Sequence, residues 1–496
     1  MRQYGRDFEE ANPVTRFLVV VFDALRPEFV TPQLMPNLHA FAEHGVRYSD
    51  SHAVFPTETR VNQTAVVTGC MPARTGIMAN NFVASDVFDD RALNTGKDEE
   101  LEAAFEHAGL GLIEAPSLGQ RLTAAGLGYA SLSAGTPGGG RLINHSALKD
   151  GSFRFAMRRP AAAVPGDAHD RIAARIGPMP EYQRPATAWI SWAVDAYLNW
   201  VEVEMAPDVM LLWLCEPDET FHYKGIGSDD ALTTIKHVDR EFGRILAAHE
   251  SEIDAGGMQV VAMSDHGQIT LQGEPVGLVE TLQDAGFRAS NQPAADVDCV
   301  VLVHNGGGIW VRDHDPDITV ALLNFLMQQD WCGPVFTRSG LGGTLSIDDV
   351  GLGHLRGPTI ALALRTNDDS NDFAHAGLTR HDAPYPVGGG CHGGLSRYEL
   401  NNFHCFGGKQ FKSGVAIDLP VGNVDITPTI CALLGLDGAD QCDGRVLREA
   451  LRTERSSQEG EAVERTLVAT NPSGPRTHLS YREFEGVRYL NRAWVD

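Results

Sequence analysis

Three aspartates in this chain directly follow apolar runs, and they are the residues that point most clearly to chemistry. Asp23 follows "RFLVVVF", Asp218 ends "VMLLWLCEPD" and Asp265 ends "VVAMSD". A single aspartate in such a place often caps the next helix and needs no functional explanation. Three such aspartates suggest a functional site, because ligands of an open α/β sheet bind where the carboxyl ends of its strands meet.

Histidines accompany these carboxylates. His266 follows Asp265 directly, and His222 lies four residues after Asp218, so that one helical turn would put both side chains on the same face. His392 lies in "GCHGG", where glycines let the backbone approach a crowded centre. Aspartate and histidine side chains that converge in this way are suitable ligands for two zinc or similar divalent ions. Each residue alone favours a structural role, but together they predict a metal centre.

The stretch "VFPTETRVNQTAVVTG" supplies hydroxyl groups that such a centre could activate. It contains Thr57, Thr59, Thr64 and Thr68. A threonine hydroxyl becomes a nucleophile only beside a base or a metal ion. The stretch by itself does not decide which threonine reacts.

The elements that must position these groups alternate between short β-branched runs and amphipathic segments. This order predicts an α/β fold with a doubly wound, mostly parallel sheet and helices on both faces. Two segments are expected to lie outside regular structure, the acidic connection 84–115 and the glycine-rich "GGGRLIN" at 138–144. The predicted elements are strands at 16–23, 207–218 and 258–267, helices at 35–45, 59–69 and 233–250, and a terminal hairpin that turns at Glu485-Gly486.

The sequence also predicts two structural units. From about residue 270 to 385 the pattern changes to mixed strands and long polar loops. We therefore expect a catalytic core formed by 1–269 with 386–496 and an inserted α/β cap lobe formed by 270–385. A lobe of this kind over the strand edges is a natural place for selecting the leaving group.

Composition narrows the classes of partner. The formal net charge is −25, and such a surface repels nucleic acid and anionic membranes. A small-molecule substrate is therefore favoured. The eight cysteines are scattered without a CxxC pair, and the start of the chain does not read as a signal peptide. These features together lead us to expect reduced thiols and a cytoplasmic protein.

Six motifs occur in an order that resembles the alkaline phosphatase superfamily. They are "FDALRP", "FPTETRVN", "VTGCMPARTGIMANN", "EPDETFH", "SDHG" and "CHGG", and they cover roughly residues 16–83, 205–267 and 388–435. The likeness is closest to the type I phosphodiesterase and nucleotide pyrophosphatase branch. It implies an alkaline-phosphatase-like fold with Thr59 as the nucleophile. It also implies one metal ion bound by Asp23, Asp265, His266 and Thr59, and a second bound by Asp218, His222 and His392.

The resemblance implies a reaction as well. The expected protein is a two-metal hydrolase of small phosphate esters, a phosphodiesterase or nucleotide pyrophosphatase, that forms a phospho-threonine intermediate on Thr59. Zinc is the expected metal, with manganese as the alternative. Asn80 falls at the position that hydrogen-bonds a phosphoryl oxygen, and Asn81 is the alternative for that role.

Two residues beside Thr59 depart from the branch that the chain resembles. Arg60 stands where nucleotide pyrophosphatases have an aromatic residue, and Glu58 stands where lysine is frequent. Arg60 is either an exposed residue at the start of a helix or a bidentate clamp for a second anionic group. The second reading favours a phosphomonoesterase or a hydrolase of the carbon–phosphorus bond that resembles phosphonoacetate hydrolase.

Other motifs are interpreted without a catalytic role. "CMPAR" resembles the sulfatase signature, but it follows the predicted helix and lies beyond Thr59, so Cys70 is expected to be a turn residue. A catalytically silent binding protein remains a third hypothesis, against which the complete ligand set argues. Four histidines in or near the insert are expected to be structural or exposed, with one of them in reach of substrate: His304, His354, His375 and His381.

Overall fold

An eight-stranded sheet forms the centre of the structure, a computed structural model that describes residues 15–452, 460–471 and 474–496. All neighbouring strands in it are parallel except the pairs made by His404–Gly407. The predicted α/β class with a mostly parallel sheet is therefore confirmed. In order across the sheet the strands are Val415–Gly422, Val46–His52, His404–Gly407, Met258–Met263, Arg16–Phe22, Val209–Leu214, Tyr129–Ser133 and Phe153–Ala156.

The three strands predicted to carry aspartates are neighbours in this sheet. Arg16–Phe22 pairs in parallel with Val209–Leu214 on one side and with Met258–Met263 on the other. Their side chains are almost entirely apolar and buried because both faces of the sheet are covered. The carboxyl ends of all three strands consequently lie at one edge, and Asp23, Asp218 and Asp265 follow there.

Helices cover both faces of the sheet. On one face Phe242 of the long helix Asp229–Ala255 packs in a cluster with Val20 and Leu212. On the other face Val66 and Ile430 pack in a cluster with Val19 and Trp213. The α-helices of the described residues are Pro36–His44, Thr59–Thr68, Pro72–Thr75, Asp98–Ala108, Leu118–Ala124, Pro137–Leu142, Ala147–Asp150, Ala168–Ile176, Thr187–Ala196, Glu202–Glu204, Asp218–Lys224, Asp229–Ala255, Leu278–Asp284, Pro316–Leu326, Arg397–Leu400 and Ile426–Leu433.

Most of the predicted insert is built around a sheet of its own. That sheet contains six strands and packs against the helices Leu278–Asp284 and Pro316–Leu326 in a separate apolar cluster. A four-stranded sheet joins Thr366–Ser370 and Ala376–Thr379 to Ile269–Leu271, which spans the predicted boundary at 270, and to Gly390–Cys391, which lies outside the insert. The boundaries 270 and 385 thus remain a prediction. The six strands are Ala289–Ser290, Cys299–Val303, Gly306–Val311, Ile360–Leu364, Cys332–Thr337 and Leu345–Ser346.

The end of the chain forms a three-stranded antiparallel sheet. Its strands are Val463–Thr470, Arg476–Phe484 and Val487–Val495, and the last two turn at Glu485 and Gly486 as predicted. Leu479 of this sheet packs in one cluster with Phe336 of the insert. The terminal sheet therefore contacts the insert, although the sequence assigned it to the catalytic core.

Two segments predicted to be irregular are helical. The connection 84–115 contains the helix Asp98–Ala108, whose acidic first turn suits the positive end of the helix dipole. The segment 138–144 lies largely in the helix Pro137–Leu142. A side chain at Gly138 would overlap the backbone oxygen of Thr95, with only 2.1 Å between that oxygen and an added Cβ. These glycines allow close packing. The prediction of turns was wrong because it considered only the tendency of glycine to form turns.

The structure bears only in part on the expectations about the start of the chain and the cysteines. The segment interpreted as lacking a signal peptide lies mainly in residues 1–14, which are outside the described residues. Within the ranges that the structure describes, no helix combines the length and the apolar character that crossing a membrane requires. All eight cysteines are free thiols, as expected.

Candidate metal centre

The three aspartates and three histidines meet at the carboxyl edge of the central sheet. His266 Nε2 lies 3.2 Å from Asp265 Oδ2 and 3.7 Å from Asp23 Oδ1. Asp218 Oδ1 lies 3.2 Å from His222 Nε2 and 3.5 Å from His392 Nε2. The structure therefore brings together every residue that the sequence proposed as an aspartate or histidine ligand.

Potential ligand atoms within this group lie close enough to surround cations. One set consists of Asp23, Asp265 and His266, and its ligand atoms lie within 4.8 Å of one another. A second set at the same spacing combines Asp218 and His392 with His266. His222 reaches the second set through Asp218. His266 thus lies between the two groups.

The backbone around the strand ends positions the carboxylates. The Ala24 N–H donates to Asp265 Oδ1 over 3.1 Å, and the Asp218 N–H donates to the Asp23 carbonyl over 3.1 Å. Asp218 also begins the helix Asp218–Lys224, which places His222 one turn further on, as predicted. Gln268 donates its side-chain N–H to Asp218 Oδ1. These contacts connect the three strand ends directly.

All three histidines are oriented by backbone carbonyl groups. Their Nδ1 atoms lie 2.8 Å from Gly390 O for His222, 3.0 Å from Gly267 O for His266 and 2.9 Å from Thr57 O for His392. A carbonyl oxygen only accepts a hydrogen bond, so Nδ1 carries the proton in each ring. Nε2 is then the atom available to a metal ion, which is the arrangement common around metal-bound histidines.

The electrostatics of the cluster are those of crowded acidic groups. Burial, followed by the charges of Asp265 and Asp218, raises the pKa of Asp23 well above its usual range. Burial also raises the pKa of Asp265, to about 6. Burial acts in the same direction on Asp218, but His222 and His392 hold the pKa of that carboxyl below its usual range. Bound cations would relieve the repulsion that raises the first two pKa values.

Two oxygen atoms test whether the set formed by Asp23, Asp265 and His266 fits a divalent ion. Asp23 Oδ1 and Asp265 Oδ2 are buried and have no hydrogen-bond partner within the described part of the chain. Buried carboxylate oxygens are normally paired, hydrogen-bonded or bound to metal. Oxygen and imidazole nitrogen donors are ligands that zinc and manganese accept. The donor set and its unpaired oxygens therefore fit the metals that the sequence suggested.

Thr59 is placed beside this cluster. It is the first residue of the helix Thr59–Thr68, and its Oγ1 lies 3.1 Å from His266 Nε2. The start of a helix favours negative charge on a nearby oxygen. Thr64 and Thr68 instead donate their hydroxyls to the carbonyls of Arg60 and Thr64 along the same helix. Of the helix threonines, Thr59 alone is thus directed at the candidate metal centre.

Asn80 is held against the start of the same helix. The Arg60 N–H donates to Asn80 Oδ1 over 3.2 Å, and the Asn80 N–H donates to a carboxylate oxygen of Glu58. This fixes the side-chain carbonyl of Asn80 and leaves its Nδ2 group as a donor. Asn81 instead belongs to the short strand Asn81–Phe82, which pairs with Leu93–Asn94. The geometry favours Asn80 over Asn81 for contact with substrate.

Arg60 is partly buried and not exposed, so its interpretation as an exposed helix residue is wrong. Its Nε atom is buried without a hydrogen-bond partner in the described ranges. Burial lowers the pKa of Arg60, while the neighbouring charges of Glu58, Asp23 and Asp218 oppose that shift. A guanidinium beside Thr59 whose Nε donor is buried and unused is suited to binding an anionic group.

Several residues at the site escaped the sequence reasoning. Trp213 donates its Nε1–H to Asp23 Oδ2 over 3.0 Å, and the Tyr385 ring stacks on His222 with centroids 3.9 Å apart. Thr57 hydrogen-bonds the segment around His392. These contacts join parts of the chain that are far apart in sequence, so no local sequence motif predicts them.

The insert contributes one further histidine near the site. His304 lines a cavity of about 480 Å³ together with Glu58, Asn81 and Asp382. Its pKa is lowered to about 4 by burial and by the nearby His222 and Arg60. Three other histidines of the insert have local partners, namely Glu114 for His354, the Phe29 ring for His375 and Gly273 O for His381.

A comparison with protein-family models matches residues 17–324 to the type I phosphodiesterase / nucleotide pyrophosphatase family. The chain belongs to this family. It is 24% identical over 257 residues to ectonucleotide pyrophosphatase/phosphodiesterase family member 3 of Mus musculus, and 25% identical over 239 residues to venom phosphodiesterase 2 of Crotalus adamanteus. These matches span 50% and 47% of this chain, but only 24% of each relative.

Solved structures also resemble this family member. Murine ectonucleotide pyrophosphatase / phosphodiesterase 5 superposes with a TM-score of 0.57 at 16% identity, covering 85% of this chain and 95% of the other. An inactive threonine-to-alanine variant of that protein, in complex with AMP, matches equally well. At this identity the likeness establishes the fold, which agrees with the central sheet described above.

Proposed function

We propose that this protein is a metal-dependent hydrolase of phosphate esters that uses Thr59 as its nucleophile. The observation that carries the proposal is the position of the Thr59 hydroxyl, 3.1 Å from His266 Nε2 and next to the set formed by Asp23, Asp265 and His266. Family membership supports a phosphodiesterase or nucleotide pyrophosphatase. Asp23, Asp265, His266 and Thr59 would hold one divalent ion, and Asp218, His222 and His392 would hold the other.

Each residue has a distinct task in the proposed reaction. The bound cations, zinc or manganese, would supply positive charge that lowers the pKa of the Thr59 hydroxyl and offsets charge on the phosphoryl group. Thr59 Oγ1 loses its proton and forms a bond to phosphorus while the bond to the leaving oxygen breaks, which gives a phospho-threonine intermediate and releases the leaving group with a proton taken up in exchange. Water then releases the phosphoryl group and restores the hydroxyl. Asn80 Nδ2 and the start of the helix Thr59–Thr68 stabilise negative charge on the phosphoryl oxygens.

A second candidate function is supported by Arg60. Its guanidinium, whose Nε atom is buried without a hydrogen-bond partner in the described ranges, would bind an additional negative charge that a simple diester lacks. This arrangement favours a phosphomonoester or a carboxylated phosphonate as substrate. The protein would then act as a phosphomonoesterase or as a hydrolase of a carbon–phosphorus bond.

We also propose that residues 270–385 act as a cap over the site. His304 lines the cavity beside Glu58, and Tyr385 stacks on His222. Both residues come from the insert and lie near the side of the site where Asp218 and His222 are placed. The insert would therefore contact the leaving group.

Metal analysis combined with a substrate panel tests these proposals. The purified protein would be assayed with bis-p-nitrophenyl phosphate, p-nitrophenyl phosphate, phosphonoacetate and p-nitrophenyl sulfate. A phosphodiesterase should prefer the diester over the monoester by more than about tenfold, a difference of about 1.4 kcal/mol in transition-state stabilisation. Chelation should abolish the activity, and zinc or manganese should restore it. Full activity in the chelated protein would contradict the proposed function.

A further inference from the structure

Thr57, two residues before the proposed nucleophile, is joined to the segment around His392 by three contacts. The Gly393 N–H donates to Thr57 Oγ1 over 2.9 Å, and the Thr57 hydroxyl donates to Gly394 O over 2.9 Å. The Thr57 carbonyl lies 2.9 Å from His392 Nδ1. Both Thr57 and His392 are buried.

These contacts decide how the His392 ring is presented. The bond to the Thr57 carbonyl requires a proton on Nδ1, which leaves Nε2 unprotonated on the side of Asp218 Oδ1, 3.5 Å away. The hydroxyl adds a second constraint because it accepts from one residue and donates to the next in the His392 segment. Outer contacts of this kind orient metal ligands and tune their affinity.

The sequence of this segment explains why an external constraint is needed. Gly390 lies two residues before His392, and Gly393 and Gly394 follow it directly. Glycine has the largest backbone freedom of all residues. Gly393 adopts a φ of 121°, which a residue with a side chain rarely does. A segment of this composition holds one conformation only when other residues bind it. Thr57 does so at consecutive residues, from the same stretch of chain that carries Thr59.

We propose that Thr57 is a positioning residue that fixes His392 relative to Thr59 and so keeps the second group of metal ligands at its distance from the nucleophile. The inference rests on the proposed function, since it assumes that His392 binds a metal ion. It assigns a role in positioning a metal ligand to a hydroxyl that contacts only Gly393 and Gly394 in the bonds described above.

The test uses the substitutions Thr57→Val and Thr57→Ser in the full chain. Valine keeps the shape and the backbone carbonyl but removes the hydroxyl, whereas serine keeps the hydroxyl. Thr68→Val is the matched control, because Thr68 is equally buried in the same part of the chain and donates its hydroxyl to Thr64 O, away from His392. Zinc affinity would be measured by competition with a chelating dye, and kcat and KM with bis-p-nitrophenyl phosphate.

The proposal predicts that Thr57→Val weakens the binding of one zinc equivalent by about 10- to 100-fold and leaves the other unchanged. It also predicts that kcat falls more than KM rises, and that Thr57→Ser restores both values to near those of the parent. Thr68→Val should lower thermal stability without changing zinc affinity.

Three results would overturn the inference. Thr57→Val with unchanged zinc affinity and kcat would do so, even if the protein were less stable. Equal losses in Thr57→Val and Thr57→Ser would also do so. If Thr57→Val and a smaller Thr57→Ala variant both fail to fold, the hydroxyl serves the fold and not the ligand. The parent protein distinguishes failure of this inference from failure of the proposed function. If the proposed function is wrong, the parent protein itself will bind no zinc or hydrolyse no ester.

Discussion

The indole Nε1 of Trp213 lies 3.0 Å from Oδ2 of Asp23 and donates a hydrogen bond to it. This contact occupies one carboxylate oxygen, while Oδ1 of Asp23 faces His266 without a hydrogen-bond partner in the residues that the structure describes. Trp213 lies in the strand that pairs in parallel with Arg16–Phe22, and Asp23 directly follows that second strand. The core of the sheet thereby orients a proposed metal ligand.

Trp213→Phe should weaken metal binding by about 10- to 100-fold, because Asp23 would lose the donor that fixes its orientation. Zinc affinity of the purified variant, measured by dye competition, checks this expectation. Trp189→Phe is the control, since Trp189 donates its Nε1–H to Pro180 O at 2.8 Å and has no contact with the site. Equal zinc affinity in the two variants would show that the hydrogen bond to Asp23 does not matter.

Asn80→Ala should lower kcat by about 10²- to 10³-fold, the effect typical of removing one donor to a developing negative charge. The measurement is steady-state hydrolysis of bis-p-nitrophenyl phosphate with the metal-loaded protein. Asn81→Ala tests the alternative assignment at the adjacent residue and should retain most of the activity. A larger loss in Asn81→Ala than in Asn80→Ala would reverse the assignment.

Arg60→Gln should change selectivity more than it changes overall turnover. Removing the guanidinium deprives a substrate with an additional charge of its partner, so kcat/KM for the monoester should fall at least about tenfold more than kcat/KM for the diester. Comparing the two p-nitrophenyl substrates within one preparation makes the protein its own control. An equal loss on both substrates would remove the argument for a second anionic group.

The stability of the protein should decrease in mild acid through His145. Burial lowers the pKa of this histidine to about 4, against an ordinary value of about 6.5 in the unfolded chain. As pH falls from about 6.5 to 4, the unfolded chain binds a proton that the folded protein does not bind. The free energy of unfolding should therefore fall by up to about 1.4 kcal/mol per pH unit, with no further loss from this group below pH 4.

His145→Gln should flatten that pH dependence, which urea unfolding between about pH 4 and 7 measures. The exposed residue His107 offers the matched control, and His107→Gln should keep the slope of the parent protein. An unchanged slope in His145→Gln would contradict the assignment.

The parts of the site that sequence predicts are those encoded locally. Asp23, Asp218 and Asp265 each end an apolar run that is also a buried strand, and His222 follows Asp218 by one helical turn. Such patterns determine both the element and the edge of the sheet at which its last residue lies. The central sheet and its ligand edge were predictable for this reason.

The remaining parts depend on contacts between distant segments. The helix Pro137–Leu142 packs so closely that Thr95 O leaves no room for a side chain at Gly138. Thr57 reaches Gly394 across 337 residues of sequence, and Trp213 reaches Asp23 across 190. Periodicity and local propensity carry no information about such pairs, so neither the close packing at Gly138 nor these hydrogen bonds could be derived from them.

The most direct test of the account is to trap the covalent intermediate. Metal-loaded protein turning over bis-p-nitrophenyl phosphate would be quenched in acid, digested and analysed by mass spectrometry. The account predicts a p-nitrophenylphosphoryl group on the peptide that contains Thr59, located at Thr59 by fragmentation and absent from Thr59→Ala, which should also lose turnover. Full turnover by Thr59→Ala, or a phosphoryl group on another residue, would contradict it.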